Sequence, residues 1–157
     1  MNATQLATLK AAIIADTNLA AFITANDDVS IAAYYNTAAS PSVSIWNPNI
    51  SVQELNTAIV WADFVGLTVQ QQQAYLAMIA PGFIDATSTN IRAGFVSVFG
   101  APASSATTTN LLAIAERNAT RFEALFTTNG VCELYGSVVT HDDIAKVVRN
   151  ADGTRSW

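Results

Sequence analysis

The run NLLAIAERNATRFEALFTTNG, residues 110–130, is the longest stretch of helical periodicity in the chain. Leu111, Ile114, Ala115, Phe122, Leu125 and Phe126 recur at intervals of three, four and seven, the spacing that gathers apolar side chains on one helix face. A small-residue segment, APASSATTT (101–109), leads into it, and Asn129-Gly130 closes it, because glycine readily takes the left-handed conformation that stops a helix. Glu116, Arg117, Arg121 and Glu123 lie off the stripe, where exposed ion pairs contribute only a few tenths of a kcal/mol each. One long helix is expected here.

The periodicity continues in shorter pieces toward the N-terminus. Ile91, Phe95, Val98 and Phe99 share a face, with Asp85 or Thr87 as cap, Gly100 as stop and Gly94 marking close packing against a neighbour. Thr68-Val-Gln-Gln71 and Ser51-Val-Gln-Glu54 are capping boxes, in which the hydroxyl and the fourth residue's side chain each accept the other's backbone N–H. They predict one helix carrying Val69, Leu76 and Ile79 up to Pro81-Gly82, and another over about 52–62 carrying Val52, Leu55 and Ile59. Residues 37–50, TAASPSVSIWNPNI, hold Pro41, Pro48 and an alternating Val43, Ile45 pair, which reads as an extended loop or edge strand. Leu6, Leu9 and Ile13, then Leu19, Phe22 and Ile23, flank an Asp16-Thr17-Asn18 break and predict two short helices or one broken one. Asn26, Asp27 and Asp28 are cap residues for a third, ending near Asn36.

On the C-terminal side, Val131–Val139 with Gly136 predicts a short hairpin or extended run. Thr140-His-Asp-Asp143 caps a last helix bearing Ile144, Val147 and Val148, and residues 150–157 form a polar tail ending in Trp157. The expected fold is a single all-α domain over residues 1–157, a bundle of six to eight helices with extended segments at 37–50 and 150–157. Neither half of the chain is expected to close its own core.

Composition narrows the function. Of 157 residues, 51% are hydrophobic and 12% charged, against about 25% charged in an ordinary domain. Seven Lys and Arg face twelve Asp and Glu, for a net charge of −5. That balance excludes an intrinsically disordered chain, which needs low hydrophobicity, and a general nucleic-acid binder, which needs a basic face. The N-terminal apolar run, Ala11–Ala15, is cut by Asp16 and is too short for a signal peptide, and no stretch of about 18 apolar residues occurs. A soluble chain with no membrane contact is expected.

Residue chemistry offers little for turnover. A single Cys and a single His exclude an internal disulfide and a Cys/His zinc site of the usual ligand count. The seven glycines form no phosphate-binding loop, and no cofactor is expected. Cys132 with His141, oriented by Asp142 or Asp143, is the nucleophile-and-base candidate for a small cytoplasmic enzyme, without any local signature beside it. The paired acids Asp27-Asp28 and Asp142-Asp143 sit at predicted helix starts, where negative charge interacts favourably with the helix dipole.

Charge is unevenly spread along the chain. Residues 1–91 hold one base, Lys10, against six acids, whereas residues 92–157 balance six bases against six acids. The acidic half, which includes Asp27, Asp28 and Asp63, either meets a basic partner or lines a passage through which a polyanion slides without adhering. Ile45, Trp46, Pro48, Arg155 and Trp157 fall on the extended loop and tail and are candidate interface residues, since aromatics on such segments commonly anchor partners. An apolar excess with few surface charges also suits a chain covered by other copies of itself.

The segments IAAYYNTAASPSVSIWNPNIS (31–51), LTVQQQQAYLAMIAPGFIDATSTNIRAGFVSVFG (67–100), ERNATRFEALF (116–126) and GSVVTHDDI (136–144) resemble small structural proteins of tailed bacteriophages. The resemblance implies a head-to-tail adaptor or connector subunit of the neck. Such a subunit forms a homo-oligomeric ring between portal and tail, contacts portal, tail or other neck proteins, and resides in the virion after assembly in the host cytoplasm; it lets DNA pass without sequence-specific binding, which makes Asp27, Asp28 and Asp63 candidate channel-facing acids. A minor capsid or cement protein and a tail-completion protein are the alternatives within that class. It implies no catalytic residues and no enzymatic activity.

Overall fold

Asn2, Ser51, Thr68, Thr120 and Thr140 each start a helix by the same device: the side chain accepts the N–H three residues on, and the side chain there accepts the cap's own N–H. The structure, a computed structural model, describes residues 1–150 and 154–156. In chain order these form α1 (Ala3–Ala15), a 3-10 turn (Thr17–Leu19), α2 (Ala20–Ala25), α3 (Asp28–Tyr35), β1 (Ser44–Trp46), β2 (Ile50–Ser51), α4 (Val52–Ala58), α5 (Trp61–Val65), α6 (Val69–Ile79), β3 (Phe83–Ile84) and α7 (Thr89–Phe99). A second 3-10 turn (Pro102–Ser104) leads to α8 (Ala106–Ala115), β4 (Glu116–Asn118), α9 (Arg121–Ala124), β5 (Thr127–Thr128), β6 (Val131–Cys132) and α10 (His141–Val148). The described residues are mostly helical, as expected, but the class is not strictly all-α: β1 pairs with β4, and β2–β3 and β5–β6 form antiparallel pairs.

The long helix expected over 110–130 is broken. α8 stops at Ala115, the chain runs extended through Glu116–Asn118, and the Thr120 cap starts a separate short helix. Asn129 and Gly130, at φ 52° and 77°, form the two-residue loop of the β5–β6 hairpin instead of a helix stop, as their shared positive φ requires. The helix expected over 52–62 divides at Ile59, whose backbone is extended. These breaks raise the number of α-helices among the described residues to ten, above the six to eight expected. α7 is preceded by Ser88 as its cap, in place of Asp85 or Thr87, while Asp85 is used one step earlier to accept the Thr87 N–H.

The chain divides into two compact units, each with its own buried cluster, where the sequence led us to expect one core. A split unit combines residues 1–43 with 118–157, and a continuous unit holds residues 44–117. In the split unit Leu9 and Ile13 of α1, Ile31 and Tyr35 of α3, Phe122 of α9 and Ile144 and Val148 of α10 pack together. The mid-chain strand segment helps to close it: Ala39 N–H donates to Ala119 O at 2.9 Å, and Ala119 N–H to Val43 O at 2.7 Å. In the continuous unit Leu55, Tyr75, Phe95, Phe99 and Leu111 form the core, and Tyr75 meets Phe64 and Phe99 edge-on. Gly94 has the close neighbour expected of it, since a Cβ there would lie 2.9 Å from Met78 Cε.

No single described helix is long and apolar enough to cross a membrane; α1 and Thr17–Ala25 reach that length and apolarity only together, across a 77° bend. Of their larger apolar residues, Leu9, Ile13 and Leu19 are fully buried in the split unit's core, Leu6, Phe22 and Ile23 partly, and Ile14 is half exposed.

Candidate functional site

A cavity of about 260 Å³ opens in the split unit, walled by the end of α1, by Tyr34 and Tyr35 of α3, by residues 39–43 and by the start of α9. Asp16 ends α1 and caps the following turn. Its Oδ1 accepts from the backbone and side-chain amides of Asn18 at 3.0 and 2.8 Å, and its Oδ2 accepts the Tyr34 hydroxyl at 2.8 Å. Arg121 stands opposite at the first position of α9. Its guanidinium lies over the Tyr34 ring, 4.4 Å from the centroid, and its Nε donates to Thr37 Oγ1 at 3.2 Å.

The electrostatics follow from this geometry. Partial burial pushes the Asp16 carboxyl up, but the donors on Tyr34 and Asn18 and the nearby Arg121 charge outweigh it and hold the group below its ordinary 3.8. Burial, followed by the hydrogen bond to Asp16, raises the Tyr34 phenol; burial, followed by the Asp16 charge, raises that of Tyr35. At neutral pH the lining therefore presents one carboxylate, one guanidinium and two neutral phenols among apolar walls. This set is suited to holding a ligand.

None of these residues was singled out by sequence reasoning. Arg121 was placed on the flank of a long helix, and the signal that relocates it is the Thr120-Arg-Phe-Glu123 box, whose two hydrogen bonds are present at 2.9 and 3.1 Å. Nothing local marks Asp16 or Tyr34, which are eighteen residues apart and meet through packing.

The residues that sequence did single out are engaged elsewhere. The buried Cys132 thiol donates to Glu123 O at 3.5 Å. His141 Nε2 lies 3.1 Å from Asp142 Oδ1, with both side chains more than 60% exposed. The structure thus does not join Cys132 to His141, and Asp143 is committed to the Thr140 cap. Among the described residues no group of three metal-ligating side chains occurs.

The candidate channel-facing acids have structural partners. Asp28 is a correction: its side chain is 11% exposed and it pairs with Arg149 Nε at 2.7 Å and Arg155 Nη2 at 3.3 Å, so it is not an open acid. Asp27 caps α3 by accepting from Ser30 N–H and Oγ, and Asp63 accepts the Thr107 N–H at 3.0 Å. The acidic half of the linear sequence also dissolves on folding. The split unit holds five bases against eight acids, a net −3; the continuous unit holds Arg92 and Arg117 against Glu54, Asp63, Asp85 and Glu116, a net −2.

Of the interface candidates, Ile45 and Arg155 need the same correction. Ile45 is fully buried, and Trp46 is half-buried beneath the Arg92 guanidinium, 4.1 Å from the ring centroid. Pro48 is half-buried. Residues 37–50 are therefore not a free arm, since their backbone is tied down as a strand and bridge. Arg155 donates to Asn26 Oδ1 and Ile23 O besides pairing with Asp28, so the described part of the tail is docked on its own unit. Trp157 lies outside the described residues.

An apolar surface that sequence did not locate lies on the continuous unit. Trp61 and Val65 of α5, one turn apart, and Val69 and Leu76 of α6, two turns apart, are each more than half exposed. From Phe64 to Ile84 there is no charged side chain. The two helices are neighbours, with Gln72 Nε2 donating to Phe64 O at 3.1 Å. Scans of the chain against protein-family models, curated proteins and solved structures match none of them.

Proposed function

We propose that this chain is a structural subunit that associates with copies of itself through the α5–α6 surface of the continuous unit. The supporting observation is that surface: four large apolar side chains exposed on two neighbouring helices, three of them, Val65, Val69 and Leu76, within a stretch of 21 residues free of charge. Exposed apolar patches of this kind mark association sites. On a chain of net charge −5, a charge-free face is where two copies meet without like-charge repulsion. The exposed Gln70 and Gln73 amides on α6 both donate and accept, so they suit a partner of the same composition.

Following the phage resemblance, the assembly is a head-to-tail adaptor ring of the virion, between portal and tail. Both units carry net negative charge, which disfavours adhesion of passing DNA. Sedimentation velocity tests the association: the chain forms a concentration-dependent oligomer, and Val65→Glu with Val69→Glu leaves a folded monomer. A wild-type chain that stays monomeric at high concentration overturns the reading. Copy number in purified particles separates the neck from a decoration role, since a closed ring holds about a dozen copies or fewer and a cement protein many more.

A further inference from the structure

We propose that the cavity beside Arg121 binds the carboxylate of a singly charged acid with an apolar body, supplied either as a small molecule or as the C-terminus of a peptide.

The guanidinium is set in place before any ligand arrives. Nε is anchored on Thr37 Oγ1, the plane rests on Tyr34, and Tyr34 is itself fixed through its hydroxyl to Asp16. Nη1 and Nη2 donate to no described residue, while the side chain lines the cavity. A planar pair of donors held in one orientation matches the two oxygens of a carboxylate, and no side-chain entropy remains to be lost on binding.

The walls set the rest of the ligand. Ala12, Pro41, Val43, Leu125 and the ring of Tyr35 are apolar. At about 30 Å³ per water-sized group, the cavity of about 260 Å³ takes a body of some eight or nine heavy atoms, the size of one large aliphatic or aromatic side chain with its carboxylate. Asp16 restricts the charge. Its carboxylate already faces Arg121, so each further negative charge on the ligand adds repulsion, and a monocarboxylate is favoured over a phosphate or dicarboxylate.

The test is titration of the full chain with hexanoate, hexanamide, inorganic phosphate, and a Gly-Gly-Ala-Leu peptide with free or amidated C-terminus, followed by NMR chemical-shift changes. Saturable shifts at the cavity residues are expected with hexanoate, the free-ended peptide or both, with at least tenfold weaker binding of the amides and of phosphate. Binding of only one carboxylate form identifies the source. Arg121→Gln should lose binding at least tenfold, and Ala124→Leu, which fills the cavity while leaving Arg121 in place, should lose it equally, both with unchanged backbone spectra elsewhere. Equal binding of acid and amide, binding retained in Ala124→Leu, or no binding by either carboxylate overturns the proposal. Should one variant fail to fold, the acid-against-amide comparison in the wild-type chain still decides it.

Discussion

Glu123 Oε1 accepts the backbone N–H of Gly136 at 2.7 Å, although the two lie thirteen positions apart, on either side of the β5–β6 hairpin. The same carboxylate caps α9 through Thr120 N–H and is 1% exposed. One buried side chain therefore fixes both the start of a helix and a turn whose glycine sits at φ 72°. Glu123→Ala leaves two part-buried donors without their acceptor and should cost about 1–3 kcal/mol. Glu123→Gln keeps one oxygen acceptor and should cost less than half as much, measured by urea denaturation.

Asp28 gives a second prediction, one that separates a structural acid from a channel-facing one. Asp28→Asn leaves Arg149 and Arg155 beside a neutral amide, so their mutual repulsion is no longer offset. Breaking a largely buried pair by removing one partner should lower stability by about 2–4 kcal/mol. A variant unfolding at the wild-type temperature would return Asp28 to the pool of open acids.

Acid sensitivity follows from the capping carboxylates. Hydrogen bonds from Ser30, Ser51 and Thr107 hold Asp27, Glu54 and Asp63 respectively below their ordinary values of 3.8, 4.5 and 3.8. A carboxyl with a depressed folded pKa stabilises the protein above its unfolded pKa, and that contribution is lost as pH falls through the folded value. Stability should be level from about pH 5 to 8 and decline as pH drops through 4.5 and 3.8. Replacing Asp27 and Asp63 together by Asn should flatten the acid limb of the profile, read from denaturation midpoints.

The β5–β6 hairpin supplies a fourth. With both loop residues at positive φ, Gly130→Ala should cost about 1 kcal/mol or more, while Asn129→Asp should be close to neutral, because only the first introduces a Cβ where the backbone disfavours one. Thermal melts of the two variants would show the difference. Equal losses would mean that the loop relaxes into another turn.

Local chemistry made most helix starts readable in advance. Ser51-Glu54, Thr68-Gln71 and Thr140-Asp143 were recognised as boxes, and each forms both of its hydrogen bonds. The same pattern at Thr120-Glu123 was masked because Ala115 and Phe122, on either side of the break, are seven residues apart and stay in phase as if one helix ran through. Division into units was hidden for a related reason. Neither sequence half closes a core; the unit that does so is a middle segment, and the other is assembled from both ends. The cavity was illegible because α1, α3, residues 39–43 and α9 contribute to it, and no spacing along the chain encodes their meeting.

The nesting of residues 44–117 inside a unit made from both termini sets an order of events on the ribosome. The middle segment emerges whole and has every partner its core requires, whereas α3 must wait for α10, more than a hundred residues later, before Asp28 finds Arg149. Vectorial synthesis, N-terminal part first, thus completes the centre of this polypeptide ahead of its beginning. Nascent chains halted after residue 117 has cleared the exit tunnel should already protect the middle segment from protease while α1–α3 remain open to cleavage.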